Sequence, residues 1–361
     1  MNILYISPEH ISGTLPLFCQ GHRKRGSYAR YLTLFPTPFD FPEDLSLNLL
    51  WHPDKSWILQ GRKLLQKIRG IDFNKEQEGK PPFWQPAGLA ERIFFALRDC
   101  LNARKIYRYV EENKLEDYDL YHLEQGMGIF RDARLVTKWK KAGKKIACFY
   151  HGNDVRNRGV FPAIHQISDL NLTSELDLLE KYPGIKYLFL PIDTDEVRPQ
   201  VRNNEKIRIV HATRSRNNKG SDFIIDTVKQ LEKNDQVEMV LIENMPHDKC
   251  MEVKAQCDIC IDQIADKGGW GYGMSSVESL AQGLPVCTYL NPQYQAFIPD
   301  HPFVNVDYNN LRSQLVRLIE SIDYRREMSE RGREWVVKMH SLDAVMAQLY
   351  SYYEDAGILP K

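Results

Sequence analysis

Residues 268–278 read Gly-Gly-Trp-Gly-Tyr-Gly-Met-Ser-Ser-Val-Glu. They follow an apolar run at 259–264 that predicts a strand, and they open a helix expected over 274–282. Gly283 stops that helix and Pro285 lies just beyond it. A glycine loop between strand and helix lets backbone N–H groups approach a phosphate at the positive helix end. Glu278 falls a turn into the helix, where its carboxylate can accept hydrogen bonds from sugar hydroxyls. A dinucleotide fingerprint would place an acid about 20 residues further on for the ribose. Asn291, Pro292 and Gln293 stand there instead, which disfavours NAD. Read alone, the segment also fits a plain Gly-rich turn.

Outward from this loop, the second half of the chain repeats the same unit. Strands are expected at 207–211, 237–242, 286–290 and 303–306, and helices at 222–233, 247–256, 308–322, 325–339 and 342–354. Directly after the first of these strands comes Arg214-Ser215-Arg216-Asn217-Asn218-Lys219-Gly220. Arg as a fork and Lys as a point charge neutralise a diphosphate well. A basic loop by itself is usually solvated surface, and it is the glycine loop in the same domain that makes a pyrophosphate clamp of it.

The first half opens as a parallel α/β sheet, with strands expected at 2–6 and 28–34 around a helix at 14–25. Ser12-Gly13 marks the turn between strand and helix, and Gly13 enters the candidate donor-binding set. Residues 35–87 interrupt the rhythm with prolines and aromatics, among them Pro36, Pro38, Phe39, Phe41, Pro53, Trp57 and Trp84. The bland reading is a surface insertion packing its rings on the domain. The sharp reading is an acceptor-binding or membrane-touching element, with Arg62, Lys63, Lys67 and Arg69 beside Leu64, Leu65 and Ile68 as a basic amphipathic patch. Helices at 88–113, 132–142 and 175–181 and strands at 119–123, 145–150, 169–173 and 186–190 complete this half. His151 ends a buried strand, which faces it to the ligand-binding edge of such a sheet. Asp154 and Arg156 follow it as loop supports or acceptor contacts.

Length and composition agree with two domains. The 361 residues amount to about two units at roughly 150 residues each. Lys plus Arg and Asp plus Glu both number 48, so no whole-protein basic footprint points to nucleic acid. A hydrophobic fraction of 43% excludes a disordered chain. No apolar run approaches the ~18 residues of a membrane span, and the N-terminus lacks a secretory signal pattern. Seven cysteines without framework spacing fit a reduced cytoplasm. Cys257 and Cys260 form a C-x-x-C with no second ligand pair, which makes them core thiols rather than a zinc site. Asp117-Tyr118-Asp119 and Asp193-Thr194-Asp195 have the D-x-D spacing of metal-dependent transferases, but their places before a strand and in a linker read as turn chemistry.

Taken together, Arg214 with Lys219-Gly220, Gly271-Tyr272-Gly273, and the run Glu278-Ser279-Leu280-Ala281-Gln282-Gly283-Leu284-Pro285-Val286 resemble the C-terminal domain of retaining GT-B glycosyltransferases of family 4, or group 1. Pro191-Ile192-Asp193 resembles a shortened form of the family's interdomain P-x-x-V-D segment, and Tyr150-His151-Gly152-Asn153-Asp154 its His-containing loop. The resemblance implies two doubly wound Rossmann-like domains facing a cleft. The first spans 1–192 on the acceptor side and the second 200–339 on the nucleotide-sugar side, with 340–361 crossing back to the first. It implies that Arg214, or Arg216 in its place, holds the donor diphosphate together with Lys219, and Arg216 and Lys219 are expected to act as catalytic charges. Tyr272 joins the donor site, Gly273, Met274 and Ser275 offer it backbone N–H groups, Glu278 binds the ribose and His151 contacts the donor sugar. No metal or other cofactor is implied beyond the nucleotide-sugar substrate. The acceptor would be a glycan or glycolipid met in the cytoplasm or at the inner membrane face. One departure stands out: Trp270 occupies the place, eight before Glu278, where the family commonly has a sugar-binding Glu. That replacement keeps two other readings open, a nucleotide-binding scaffold without turnover and a nucleotide-sugar epimerase of the same fold.

Overall fold

The computed structural model describes residues 1–10, 13–36, 41–51, 60–61, 75–86, 88–232 and 235–359. The basic amphipathic patch expected at Arg62 to Arg69 lies outside the described residues, as do Ser12, Pro38, Phe39, Pro53 and Trp57. Two compact units divide the chain, one of Met1–Leu188 with Met346–Lys361 and one of Phe189–Val345. The break therefore falls four residues before the expected boundary at 192, and the return to the first unit begins at 346 rather than 340.

The first unit is built on a seven-stranded sheet in the order β3-β2-β1-β4-β5-β6-β7, all parallel. Its strands are β1 (Asn2–Ser7), β2 (Tyr28–Thr33), β3 (Leu45–Ser46), β4 (Leu120–Glu124), β5 (Lys145–Tyr150), β6 (Leu170–Thr173) and β7 (Lys186–Tyr187). Central strands read apolar at every position because helices cover both faces. Ile3, Leu4, Tyr5 and Ile6 are accordingly all buried. The helices include α1 (Thr14–Lys24), α2 (Leu89–Glu112) and α3 (Arg134–Lys141), with a π-helical turn at Asp154–Arg158. In the last stretch of chain, Tyr353 meets the β4 residue His122 at 2.5 Å and Tyr350 meets the α1 residue His22 at 3.1 Å.

Within the insertion, the described segment around residues 45–49 is integrated into the domain. Leu45–Ser46 pairs with Leu32 and Thr33 as an edge strand, and Leu45, Leu47 and Leu49 are buried in the same core as Leu4 and Leu32. The helix expected at 175–181 is reduced to a single turn, Leu178–Lys181. The residues before it instead turn the carboxylates of Glu175 and Asp177 towards the loop after β5.

The second unit carries a five-stranded parallel sheet in the order β12-β11-β10-β8-β9. Its strands are β8 (Ile207–Thr213), β9 (Val237–Glu243), β10 (Ile259–Ile261), β11 (Val286–Thr288) and β12 (Val304–Asn305). The strand expected to run to 264 ends at Ile261, because the next side chain, Asp262, is drawn into a buried polar cluster. Around the sheet lie α4 (Ser221–Glu232), α5 (His247–Ala255), α6 (Met274–Ala281), α7 (Leu311–Glu320) and α8 (Ile322–His340). Ile209, Ile224, Val228, Ile261, Leu311 and Leu315 form the centre of its core. No helix of the described residues is long and apolar enough to cross a membrane.

Candidate functional site

In the second unit, two lysine–carboxylate pairs, each with a buried acid, frame the start of α6. Lys219 closes the loop after β8, where its Nζ donates to the Ala212 carbonyl at 3.2 Å and to the carboxylate of Asp262. Asp262 is 1% exposed, and its Oδ2 accepts from Ser276 Oγ at 2.6 Å and from the Gly273 amide at 3.2 Å. Burial alone would raise its pKa, but Lys219 and these donors outweigh burial and push it down to about 2. One carboxylate thus ties the basic loop to the entry of the helix. Gly271 makes the close turn before that entry: its φ is +79°, and a methyl group there would overlap the Tyr294 ring.

At Gly273 the backbone is extended and no side chain caps α6. By helix geometry the first amides, at Met274 and Ser275, have no intrahelical acceptor and carry the positive end of the dipole. Glu278 sits one turn further. Its two oxygens accept from His247 Nε2 at 2.8 Å and Lys254 Nζ at 2.7 Å. Lys254 is 1% exposed and also donates to Ser275 Oγ at 2.9 Å. Burial raises the Glu278 pKa, yet Lys254 and His247 together hold it down to about 2. Burial likewise opposes the Lys254 charge, and Glu278 reverses that effect and raises its pKa.

Two expected donor contacts take other partners. Arg216 forks onto Glu243 at the end of β9, with Nε and Nη2 at 2.8 and 2.7 Å, and Asp222 lies 3.5 Å from Nη1. Its guanidinium is already neutralised by a carboxylate of the described fold. Tyr272 donates its hydroxyl to His340 at 2.8 Å, and its ring packs on Phe303 and Trp335. That residue is part of the packing below the loop. Arg214 is exposed at the head of the basic loop, and Trp270 is half-buried in the glycine loop.

The first unit gathers its polar groups after β4 and β5. His151 Nε2 lies 3.4 Å from Glu124 Oε2, the last residue of β4. The His151 amide donates to Asp154 Oδ2 at 2.9 Å, and the Gly152 amide to Glu175 Oε1 at 2.5 Å. Arg156 is anchored by Glu175 and, at 2.7 Å, by Asp177. Burial lowers the His151 pKa, but Glu124, Asp154 and Glu175 overcome it and set it at about 9. At neutral pH the imidazole is therefore a cation and a proton donor. Gly13 caps α1 at φ +69°, beside the Phe41 ring.

Sequence reasoning missed Glu124, Asp262, Lys254 and Glu243, each of which touches a residue it had singled out. Their partners lie 27 residues away in sequence or are reached only across neighbouring strands and helices. Cys257 and Cys260 are buried free thiols whose pKa burial pushes up, to about 12 and about 11. Asp119 and Asp193 accept backbone amides, at 2.8 and 3.0 Å respectively.

No family model and no curated protein matches the chain. Solved structures do. An alpha-glucosyltransferase in complex with UDP and a 13-mer DNA containing an HMU base is 10% identical over 98% of this chain and 99% of that one, with a TM-score of 0.60. A Listeria monocytogenes protein described as a UDP-N-acetylglucosamine 2-epimerase is 10% identical over 98% and 96%, with a TM-score of 0.55. In the GtfA/B complex the match is 13% identical, covers 70% of this chain and only 60% of that one, and has a TM-score of 0.50. Likeness at such identities is a likeness of fold, and the two parallel-sheet Rossmann-like units are those of the GT-B glycosyltransferase architecture.

Proposed function

We propose that the chain is a glycosyltransferase that moves a sugar from a nucleoside-diphosphate donor to an acceptor hydroxyl with retention of configuration. The observation that carries this reading is Asp262, which fixes Lys219 and the Gly273 amide at the mouth of α6. Among the described residues, two of the three Nζ protons of Lys219 are committed, to Ala212 and Asp262, which leaves the third for a phosphate oxygen. Arg214 and the amides of Met274 and Ser275 complete the donor diphosphate site. Each Glu278 oxygen accepts one hydrogen bond and has further lone pairs for the ribose hydroxyls.

In the transfer step the bond from the anomeric carbon to the diphosphate breaks, and its electron pair leaves with the diphosphate. Lys219, Arg214 and the helix end stabilise that charge. A bond forms from the acceptor oxygen to the same face of the anomeric carbon, and the acceptor proton passes to a departing phosphate oxygen. A protonated His151 is not itself the base that inversion requires. Its proton is available to a sugar oxygen instead. Phosphate neutralisation by these cations makes the reaction independent of added metal.

The test is a thermal-shift panel of nucleotides and nucleotide sugars, since a ligand at 100 times its Kd stabilises by ~2.7 kcal/mol. The best donor is then offered with acceptors and the product read by NMR. An α-linked donor yielding an α-glycoside, at a rate unchanged by EDTA, is expected. A β-glycoside overturns retention. Donor interconversion without acceptor establishes an epimerase, and binding without turnover a scaffold.

A further inference from the structure

The first unit holds a second concentration of positive charge, on residues that the donor site does not use. Arg131 lies in the loop between β4 and α3. Its guanidinium is 3.9 Å from the centre of the Phe95 ring, 4.5 Å from Phe161 and 4.8 Å from Trp84. Among the described residues Nε is buried with no hydrogen-bond partner, and Nη1 reaches only the weak acceptor Met127 Sδ, at 3.9 Å. The neighbouring carboxylate is occupied elsewhere. Asp99 takes Arg98 on Oδ1, at 3.0 and 2.6 Å, and the Arg131 backbone amide on Oδ2, at 2.7 Å. Aromatic faces soften the cost of burying a guanidinium, but they give Nε–H no acceptor.

Arg158 approaches the same Phe161 ring, at 4.8 Å. It donates to the Gln125 carbonyl and lies 3.5 Å from Asp154 Oδ1. Burial and then the like charges of Arg158 and Arg98 push the Arg131 guanidinium well below its ordinary pKa, with Glu91 and Asp99 only partly opposing them. The cluster is thus short of negative charge and of hydrogen-bond acceptors at one buried donor. It is also continuous with His151. The carboxylate facing Arg158 is the one that accepts the His151 amide, and Gln125 directly follows Glu124, the His151 partner. Both loops leave the carboxyl ends of adjacent strands, β4 and β5, where doubly wound sheets take their ligands.

We infer that Arg131 and Arg158 form an oxyanion subsite in the first unit, which holds a phosphate or carboxylate group of the acceptor close to His151. That the anion belongs to an acceptor rests on the transferase reading, whereas anion binding itself does not. Arg131 supplies Nε–H and a fixed plane for a forked contact, and Arg158 supplies a second charge from the opposite loop.

The experiment follows the Arg131 Nε–H resonance in the 15N-labelled full chain, assigned by its loss in Arg131→Lys, while inorganic phosphate or acetate is added. Thermal shifts with phosphate are recorded in parallel for the unchanged protein, Lys219→Ala, Arg131→Gln and Arg158→Gln. Phosphate is expected to move the Arg131 resonance and to stabilise both the unchanged protein and Lys219→Ala. Either arginine variant should weaken phosphate by about tenfold or more. If Arg131→Gln does not fold, Arg158→Gln carries the comparison, since that side chain closes the π-helical turn at Asp154–Arg158 and reaches the surface. A stronger response to acetate than to phosphate assigns the site to a carboxylate. A resonance unmoved at saturating concentrations of both anions overturns the subsite. So does a phosphate shift that vanishes in Lys219→Ala and survives in both arginine variants. Nucleotide affinity measured on the same samples separates the two ideas, because the donor site fails only if the nucleotide does not bind.

Discussion

The loop before α6 and the loop after β5 both bring charged side chains to the carboxyl edge of a parallel sheet, and they differ in how those charges are balanced. In the second unit two buried carboxylates each meet a lysine: Asp262 the half-buried Lys219, Glu278 the buried Lys254. Both acids are held near 2, far from neutral pH. In the first unit the acids surround a histidine that titrates at about 9, and burial raises the pKa of Glu175 despite Arg156. One edge is a fixed template of charge, which is what the proposed diphosphate donor requires. The other can exchange protons within reach of physiological pH.

The largest test breaks the fixed template. Lys254→Met leaves Glu278 as a mostly buried carboxylate with His247 as its remaining partner, and removal of one member of a buried pair costs about 3–5 kcal/mol. Urea denaturation should show a loss of that order. The double variant Lys254→Met/Glu278→Gln should recover much of it, because the uncompensated charge is gone. Equal losses in the single and double variants would mean that Lys254 stabilises through packing alone.

Lys254 also marks where reading the sequence stops. The glycine loop and Glu278 are legible because the relevant residues are contiguous and follow strand, loop, helix order. Lys254 is spaced like any surface cation of an amphipathic helix, and only the fold shows that α5 turns it inward onto α6. Glu124 reads as the polar end of a strand, and it acquires its meaning from the pairing of β4 with β5. The edge strand Leu45–Ser46 is hidden by its length, since two residues show no periodicity. Arg131 reads as a loop arginine, and its aromatic cage draws on three separate segments.

A smaller effect sharpens the donor side. Lys219→Ala should weaken nucleoside-diphosphate binding by about tenfold or more, as expected for a charged contact worth about 1.5–3 kcal/mol. Calorimetry with the diphosphate and the corresponding nucleoside separates phosphate from ribose. Unchanged affinity for both would remove Lys219 from the site.

The proton-exchanging side makes a prediction in pH. The His151 pKa is raised from the ordinary histidine value near 6.5 to about 9. The favourable interaction of its charged form is therefore complete below about 6.5 and is lost as pH rises through about 9. The side chain is 38% exposed, so solvent screening reduces the stability effect below what the shift alone suggests. Transfer should fall across that upper window while nucleotide affinity stays flat, since Asp262 and Glu278 do not titrate there. His151→Gln should abolish the alkaline limb. A limb that persists in the variant assigns it to another group.

The smallest expected effect belongs to Arg216, which shares its loop with Lys219. The two residues differ in their partners. Lys219 is half-buried and held by Asp262, whereas Arg216 is 48% exposed and forks onto Glu243. A phosphate competing for that guanidinium would have to displace a carboxylate already in bidentate contact. Exposed pairs of this kind contribute little because water and salt screen them. Arg216→Ala should therefore change diphosphate affinity by about twofold or less, against the tenfold of Lys219→Ala. Glu243→Gln gives the complementary measurement: it frees the fork, so affinity should rise if Arg216 can reach the phosphate and stay level if it cannot. A tenfold loss in Arg216→Ala together with a gain in Glu243→Gln would make the ion pair a resting state that the donor opens. That result would also restore Arg216 as the third cation of the clamp, beside Lys219 and Arg214.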